Sequence, residues 1–181
     1  LTNNVVYPGD PTGGTLGGLI VTSGVGSVVL RADNTATGTG TVTFDDASQN
    51  FVYLTDSAST LSIYYNPSSY STPTDYSAYM QSDPSRLTAY MAINVSGSAA
   101  SKIYDGLATT SVSGLNSALS MPAGLTLDTA SAQGTFADKN VGTGKTVTIT
   151  GVTATGSGAV TSTSSDGATV ISYNSNNYFI S

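Results

Sequence analysis

Short runs of alternating apolar and polar residues, separated by glycine and proline, extend along the whole chain. In the first half, apolar runs begin near positions 19, 28, 41, 51 and 61, and a longer one covers 87–95. Leu61, Ile63 and Tyr65 share one face of their run, because side chains alternate along a strand. Short strands that start about every ten residues are typical of a β-solenoid or of a meander.

The second half continues as shorter strands, in which the apolar residues move from odd to even positions at two points. Leu125 and Leu127 point to one side, whereas the next apolar positions have the opposite parity, so we predict a bulge or turn near Asp128-Thr129. The apolar residues change again from odd to even positions after Gly151, where a second bulge is expected. Strands of this kind favour a small antiparallel β-sandwich.

These patterns predict a mainly-β chain of two units. Residues 1–97 are expected to form a β-solenoid or a meander, and residues 98–181 an antiparallel immunoglobulin-like β-sandwich. The segment 96–101 is the expected boundary, because its small polar residues pack against little and bend easily. The alternative architecture is one continuous β-sandwich that acts as a filament subunit.

Charge narrows the range of partners. The 181 residues contain 11 acidic side chains, all of them Asp, and five Lys or Arg, which gives a net charge of −6. A surface so poor in cations repels phosphate backbones, so no nucleic acid is expected as a partner. No apolar run approaches the roughly 20 residues that a membrane-spanning helix needs, so no membrane span is expected.

The residue types for most catalytic and metal sites are missing. The chain has no Cys and no His, which excludes disulfides, thiolate metal sites and the Ser-His-Asp and Cys-His arrangements. Its scattered Asp residues lack the clustered cations that would stabilise an anionic sugar during glycoside cleavage. We therefore expect no enzyme and no cofactor. Asp45 and Asp46 are weak candidates for a structural calcium ion, without the spacing of a dedicated calcium loop.

Gly142-Thr-Gly144-Lys145-Thr146 resembles part of a phosphate-binding loop. The full motif needs a glycine where this chain has Lys139, and a helix after the lysine. The residues that follow alternate valine or isoleucine with threonine and predict a strand instead. These glycines therefore serve turns.

Seven of the 11 tyrosines lie between residues 53 and 90. Rigid aromatic side chains with a polar tip suit contact with sugars or proteins. The candidate contact residues are Tyr64, Tyr65, Tyr70, Tyr76 and Tyr79. The alternative is that these side chains cap solenoid turns and cover a sheet face.

Several tracts resemble exported adhesins of the filamentous-haemagglutinin type from Gram-negative bacteria, the two-partner-secretion class. Residues 28–33, 38–44, 63–67, 69–76 and 87–91 are similar to their solenoid coils. Tyr104-Asp105-Gly106, with the tract 134–151 and the ending 177–180, resembles the β repeat named YDG after these three residues.

The resemblance implies a non-enzymatic, extracellular segment of a bacterial surface adhesin, serving as stalk, as binding region or as both. It also implies that residues 1–97 form a short parallel β-helix, or a β-sandwich-like equivalent, ahead of the β-sandwich. The implied partner is a glycan or protein of the host or of the biofilm matrix, and no catalytic residues come with the family. Two alternatives remain open. One is a carbohydrate-binding module that uses the tyrosine-rich stretch 64–79. The other is a filament subunit in which a terminal strand, 19–30 or 173–180, completes a neighbour's sheet.

Overall fold

The computed structural model describes residues 4–7, 19–21, 25–32, 40–44, 52–164 and 167–181. These ranges hold seventeen strands and two 3-10 turns, Ser77–Tyr79 and Pro84–Arg86, which confirms the mainly-β class. The strands of the first half are β1 (Asn4–Tyr7), β2 (Leu19–Val21), β3 (Ser27–Arg31), β4 (Thr41–Phe44), β5 (Val52–Leu54), β6 (Thr60–Tyr65) and β7 (Leu87–Ile93).

The first half is a parallel β-solenoid. β1 pairs with β4, β2 with β5 and β3 with β6, always in parallel. β7 then stacks in parallel on β6, and a parallel bridge joins Val52 to Met80. One coil therefore separates Asn4 from Thr41 and Leu19 from Val52. The ten-residue spacing in the sequence marks successive strands around a coil, whereas β1, β2 and β3 each pair with the strand three places later.

The predicted apolar face of β6 lies in the main core. Leu61, Ile63 and Tyr65 are each at most 1% exposed, and Leu30 of β3 packs in the same cluster. Each fully buried aliphatic side chain of this size stabilises the fold by roughly 1.5–3 kcal/mol. Period-two patterning thus predicted both the strand and the face that it buries.

The strands of the second half are β8 (Val95–Ala99), β9 (Thr109–Thr110), β10 (Val112–Ser117), β11 (Leu125–Asp128), β12 (Gln133–Phe136), β13 (Val147–Thr150), β14 (Thr153–Gly156), β15 (Val160–Thr163), β16 (Thr169–Tyr173) and β17 (Asn176–Ile180). Among themselves they pair only in antiparallel fashion within the described ranges. The last strand, however, also pairs with a strand outside this group.

β17 joins the solenoid. It pairs in parallel with β7, with Tyr178 opposite Met91 and Ile180 opposite Ile93. The result is one six-stranded sheet in the order β15-β16-β17-β7-β6-β3. This sheet crosses the boundary predicted near residue 97, so the last three strands do not belong to a separate sandwich. The terminal strand proposed for filament assembly, 173–180, is paired on both sides within its own chain.

The middle of the six-stranded sheet is buried on both faces, whereas its edge strand β15 is exposed. Opposite the main core, Tyr64, Ala92, Val170 and Phe179 form a second cluster. The Tyr64 ring stacks on Tyr90 at 4.6 Å between centroids and meets Phe179 edge-on at 5.1 Å. The Arg31 guanidinium lies 3.9 Å from the Tyr64 centroid, a cation–π contact that covers the outer side of the ring. Parallel sheets need this coverage of both faces.

A long, bent β-ribbon forms the centre of the second half. β11 pairs with β14 and β12 with β13, so the chain runs out along one side and returns along the other. Residues 129–132 separate the two strands of the outgoing side, whereas only Gly151 and Val152 separate those of the returning side. Because one side of the ribbon has more residues between its strands than the other, the ribbon bends at this point. The interruptions predicted near Asp128-Thr129 and after Gly151 are therefore both confirmed.

Replacing Gly151 with alanine tests this bend. Gly151 has a φ of 77°, and a Cβ atom placed there would collide with the Ser131 carbonyl oxygen. We expect the substitution to lower the free energy of unfolding by roughly 2–4 kcal/mol in chemical denaturation, from a left-handed backbone and a backbone clash together. Gly158→Ala is the matched control, since its φ is 84° and its Cβ would meet nothing within 4 Å. Equal losses in the two variants would contradict the role of close packing at the bend.

Candidate functional site

The predicted tyrosine surface lies mostly in the core. Tyr64 and Tyr65 are each 1% exposed, Tyr76 is 3% exposed and Tyr70 is 6% exposed. Tyr79 is half-buried, with its ring 4.7 Å from that of Phe44. These positions leave little surface for a ligand, and they fit the alternative in which the tyrosines cover a sheet face.

The buried hydroxyl groups have partners inside the chain. Tyr70 donates to the Ala92 carbonyl at 2.9 Å, and Tyr76 donates to the Val42 carbonyl at 2.9 Å. Burial raises the pKa of both tyrosines to about 12. The Tyr65 hydroxyl accepts a hydrogen bond from the Thr74 N–H. Neutral hydroxyls that bond to the backbone fix the loop between β6 and β7 onto the solenoid.

The calcium candidates Asp45 and Asp46 lie outside the described residues. Within the described ranges, no three acidic side chains come together in a way that could hold a metal ion. Those ranges also contain no helix that is long and apolar enough to cross a membrane.

The structure instead brings together two loops that are distant in sequence. Loop 100–108 joins β8 to the segment that holds β9 and β10, and loop 137–146 closes the ribbon between β12 and β13. They flank a cleft of about 670 Å³, a size that suits a small ligand or a short polymer segment. Lining residues are Gly97–Lys102, Tyr104, Leu107, Phe136, Asp138–Lys145 and Val147. We call this the two-loop cleft.

The strands that carry the two loops are connected to each other. β8 pairs with β10, with Ala99 opposite Val112, and β9 pairs with β12, with Thr110 opposite Gly134. Gly134 is buried, and a Cβ atom there would approach Val112 to 2.7 Å. A glycine at this position lets the hairpin and the ribbon approach closely enough to hold both loops over one cleft.

Each loop is held by a carboxylate and a lysine. The Lys102 Nζ lies 2.7 Å from Asp105 Oδ1, and Lys145 pairs with Asp138. These hydrogen bonds from the lysines, followed by backbone N–H donors, hold the pKa of both carboxyl groups below the usual range. Both carboxylates are therefore charged at neutral pH, and each one organises its own loop as an Asx turn.

Large apolar side chains lie exposed around the cleft. Tyr104 and Leu107 are each 60% exposed, Val141 is 87% exposed and Ile103 is 92% exposed. Six large hydrophobic residues are at least 60% exposed among the described residues, and these four belong to the two loops. A concentration of exposed apolar area at one place marks an interaction site.

Sequence reasoning placed the candidate site elsewhere. It noted Tyr104-Asp105-Gly106 as a mark of the YDG repeat and assigned the glycines of 142–145 to turns. The sequence did contain one signal for this site: two loops that contain glycine each combine lysine with large apolar residues. That signal becomes meaningful only once the pairing of β9 with β12 brings the loops together.

The fold and the cleft define a mainly-β protein in which a parallel solenoid continues into an antiparallel module with two projecting loops. Residues 89–161 match the YDG domain family, so the chain contains a YDG domain that begins within β7 and includes both loops of the cleft. Searches of curated proteins and of solved structures found no match.

Proposed function

We propose that the chain is a non-enzymatic, extracellular segment of a bacterial surface adhesin of the filamentous-haemagglutinin, two-partner-secretion type. In this proposal the solenoid is the stalk and the two-loop cleft of the YDG domain is the region that contacts a partner. The partner is a glycan or a protein of the host or of the biofilm matrix. The proposal rests on the resemblance of the solenoid tracts and on the YDG domain at 89–161.

The observation that carries the proposal is the six-stranded sheet that includes strands from both halves. β7 lies between β6 and β17, so the last coil is hydrogen-bonded on both sides. Such a junction is stiff, because the strands cannot rotate against each other without breaking ladders. An adhesin needs this property, since it must keep a binding region at a fixed distance from the cell.

The distribution of buried residues agrees with a rigid solenoid and a contact region formed by the two loops. In the solenoid, apolar side chains from successive coils stack in one core. Between residues 95 and 164, in contrast, the buried hydrophobic residues are Leu125, Val152 and Ala154. The two loops lie in this thinly buried part of the chain, where side chains are available to a partner.

Adhesion of coated beads tests the proposal. Beads carrying the purified chain are expected to adhere to host extracellular matrix or to biofilm matrix at several times the level of uncoated beads. A variant with Tyr104→Ala and Val141→Ser is expected to lose most of this adhesion, since both changes remove exposed apolar contact area. Antibodies against the chain are also expected to label intact cells of the producing bacterium.

The control variant is Tyr53→Ala, which removes an aromatic side chain that is 43% exposed and lies outside the cleft. It is expected to adhere like the unmodified chain. Circular dichroism of each variant establishes that the fold is retained. Absence of adhesion on every matrix, together with labelling only after cell lysis, would refute the proposal.

A further inference from the structure

Positive charge on this acidic chain is concentrated at the two-loop cleft. The chain has five Lys and Arg residues against 11 acidic ones, yet Lys102, Lys139 and Lys145 all line the cleft. Asp138 is the one carboxylate among the lining residues. With Asp105, which pairs with Lys102 beside the lining, the cleft region holds three lysines and two carboxylates, an excess of one positive charge on a protein of net charge −6. An anion is therefore attracted here more than to the acidic remainder of the surface.

The three lysines differ in what they can offer a ligand. Lys102 and Lys145 are largely covered, with 23% and 17% of their side-chain surface exposed, and each forms an ion pair within its loop. Lys139 is exposed, and no ion pair of Lys139 occurs among the described residues. Lys139 is thus the cation that is ready to bind an incoming carboxylate.

The rest of the lining combines ring faces with small polar groups. Tyr104 and Phe136 supply aromatic surface, and Asn140 and Thr143 supply an amide and a hydroxyl. A sugar ring presents an apolar face of C–H groups and a rim of hydroxyls that donate and accept hydrogen bonds. Aromatic surface suits the face, and the Asp138–Lys145 pair offers an acceptor beside a donor for the rim.

We propose that the two-loop cleft binds a carboxylate-bearing saccharide, with Lys139 contacting the carboxylate and Tyr104 packing against the sugar ring. This inference rests on the proposed function and names its ligand class. A saccharide is favoured over an acidic peptide because Asp138 lines the cleft. An acidic peptide offers Asp138 further carboxylates, which it repels, whereas a saccharide can place its carboxylate at Lys139 and donate hydrogen bonds from its hydroxyls to Asp138. Uronic acids and sialic acids both carry such a carboxylate on a sugar ring.

Calorimetric titration with matched sugars tests the proposal. The probes are trigalacturonate against galactotriose, and sialyllactose against lactose. We expect at least one acidic probe to bind about fivefold or more tightly than its neutral counterpart, a difference that one exposed charge contact supplies. Raising the ionic strength from about 0.05 to about 0.5 M should abolish this preference, because exposed charges are then screened. The pair that responds identifies the source of the carboxylate.

Variants locate the interaction. Lys139→Gln is expected to weaken acidic-sugar binding about fivefold and to leave neutral-sugar binding unchanged, whereas Lys139→Arg retains the preference. Tyr104→Ala is expected to weaken binding of both sugar types roughly tenfold. Tyr53→Ala, outside the cleft, should change neither affinity. Amide resonances of Gly106 and Gly144, one in each loop, are expected to shift on titration in the unmodified chain.

Three outcomes would overturn the proposal. The first is equal affinity for acidic and neutral sugars, and the second is an acidic preference that survives in Lys139→Gln. The third is binding of a poly-aspartate peptide in place of either sugar, which would assign the cleft to protein partners. These results are separable from a failure of the adhesin proposal, because bead adhesion that requires Tyr104 but no saccharide leaves adhesion standing.

Discussion

Replacing Tyr178 with alanine is expected to lower the free energy of unfolding by about 3–5 kcal/mol, the loss typical of a buried aromatic side chain. Tyr178 is 1% exposed and lies opposite Met91 in the parallel ladder that joins β17 to β7. Its ring meets Tyr70 edge-on at 5.6 Å. The substitution therefore leaves a cavity where the solenoid and the last strand share a core. Urea denaturation followed by circular dichroism measures the change.

Tyr104→Ala is the matched control, since the same atoms are removed from a side chain that is 60% exposed. Its cost should stay within about 0.5 kcal/mol, as for most surface substitutions. The Tyr178 variant should also shift the unfolding of both halves together, because β17 belongs to the solenoid sheet. Two separate transitions, of which only the later strands respond, would contradict the shared core.

Raising the pH from about 10 to about 12 is expected to remove roughly 2–3 kcal/mol of stability for each of Tyr70 and Tyr76. Burial raises the pKa of both side chains to about 12, from 10 in the unfolded chain. Below pH 10 both states are protonated, and the stabilisation is complete. As the pH rises through this window, the unfolded chain loses protons that the folded chain retains, so unfolding becomes more favourable. Denaturation at stepped pH, with tyrosinate absorbance near 295 nm as a second probe, follows this loss.

Phenylalanine variants separate this effect from general alkaline damage. Tyr70→Phe and Tyr76→Phe should lower stability at pH 8 by roughly 1–3 kcal/mol each, since the Ala92 and Val42 carbonyls lose a donor. Between pH 10 and 12 their stability should fall less steeply than that of the unmodified chain. Tyr104→Phe, at an exposed position, should keep the original slope. An unchanged slope in the two core variants would show that other groups cause alkaline unfolding.

Local patterning was sufficient to predict most strands. The alternation of Leu61, Ile63 and Tyr65 predicted a buried face, and the parity changes near Asp128 and after Gly151 predicted the interruptions of the ribbon. These features depend on neighbours two to four residues away, which a sequence displays directly. The parallel solenoid was also predictable as a class, because its coils repeat short strands between turns.

Long-range placement was not predictable in the same way. Asn177-Tyr178-Phe179-Ile180 has the pattern of a strand buried on both faces, and such a pattern fits a sandwich as well as a parallel sheet. Its pairing with β7 is set by the packing of Tyr178 and Phe179 onto two different clusters. Alternation within four residues carries no information about that partner.

The tyrosines show the same limit for the candidate site. Tyrosine is suited both to binding surfaces and to cores in which its hydroxyl finds a carbonyl. At Tyr70 and Tyr76 the carbonyl acceptors lie 22 and 34 residues away in sequence, so the core role was hidden. The two-loop cleft was also not predictable, because its loops lie on separate strand pairs and meet only in the folded chain.

The position of β17 makes the two ends of the parallel part of the sheet different. β7 has β6 on one side and β17 on the other, and β16, the next strand outward, runs antiparallel. No further coil can stack in register there, because the backbone groups that it would bind already have partners. At the other edge, β3 has β6 as its neighbour and no second neighbour among the described strands, so that parallel edge remains open to pairing. Parallel stacking in this sheet is therefore capped at β17, next to β7, the strand in which the YDG domain begins.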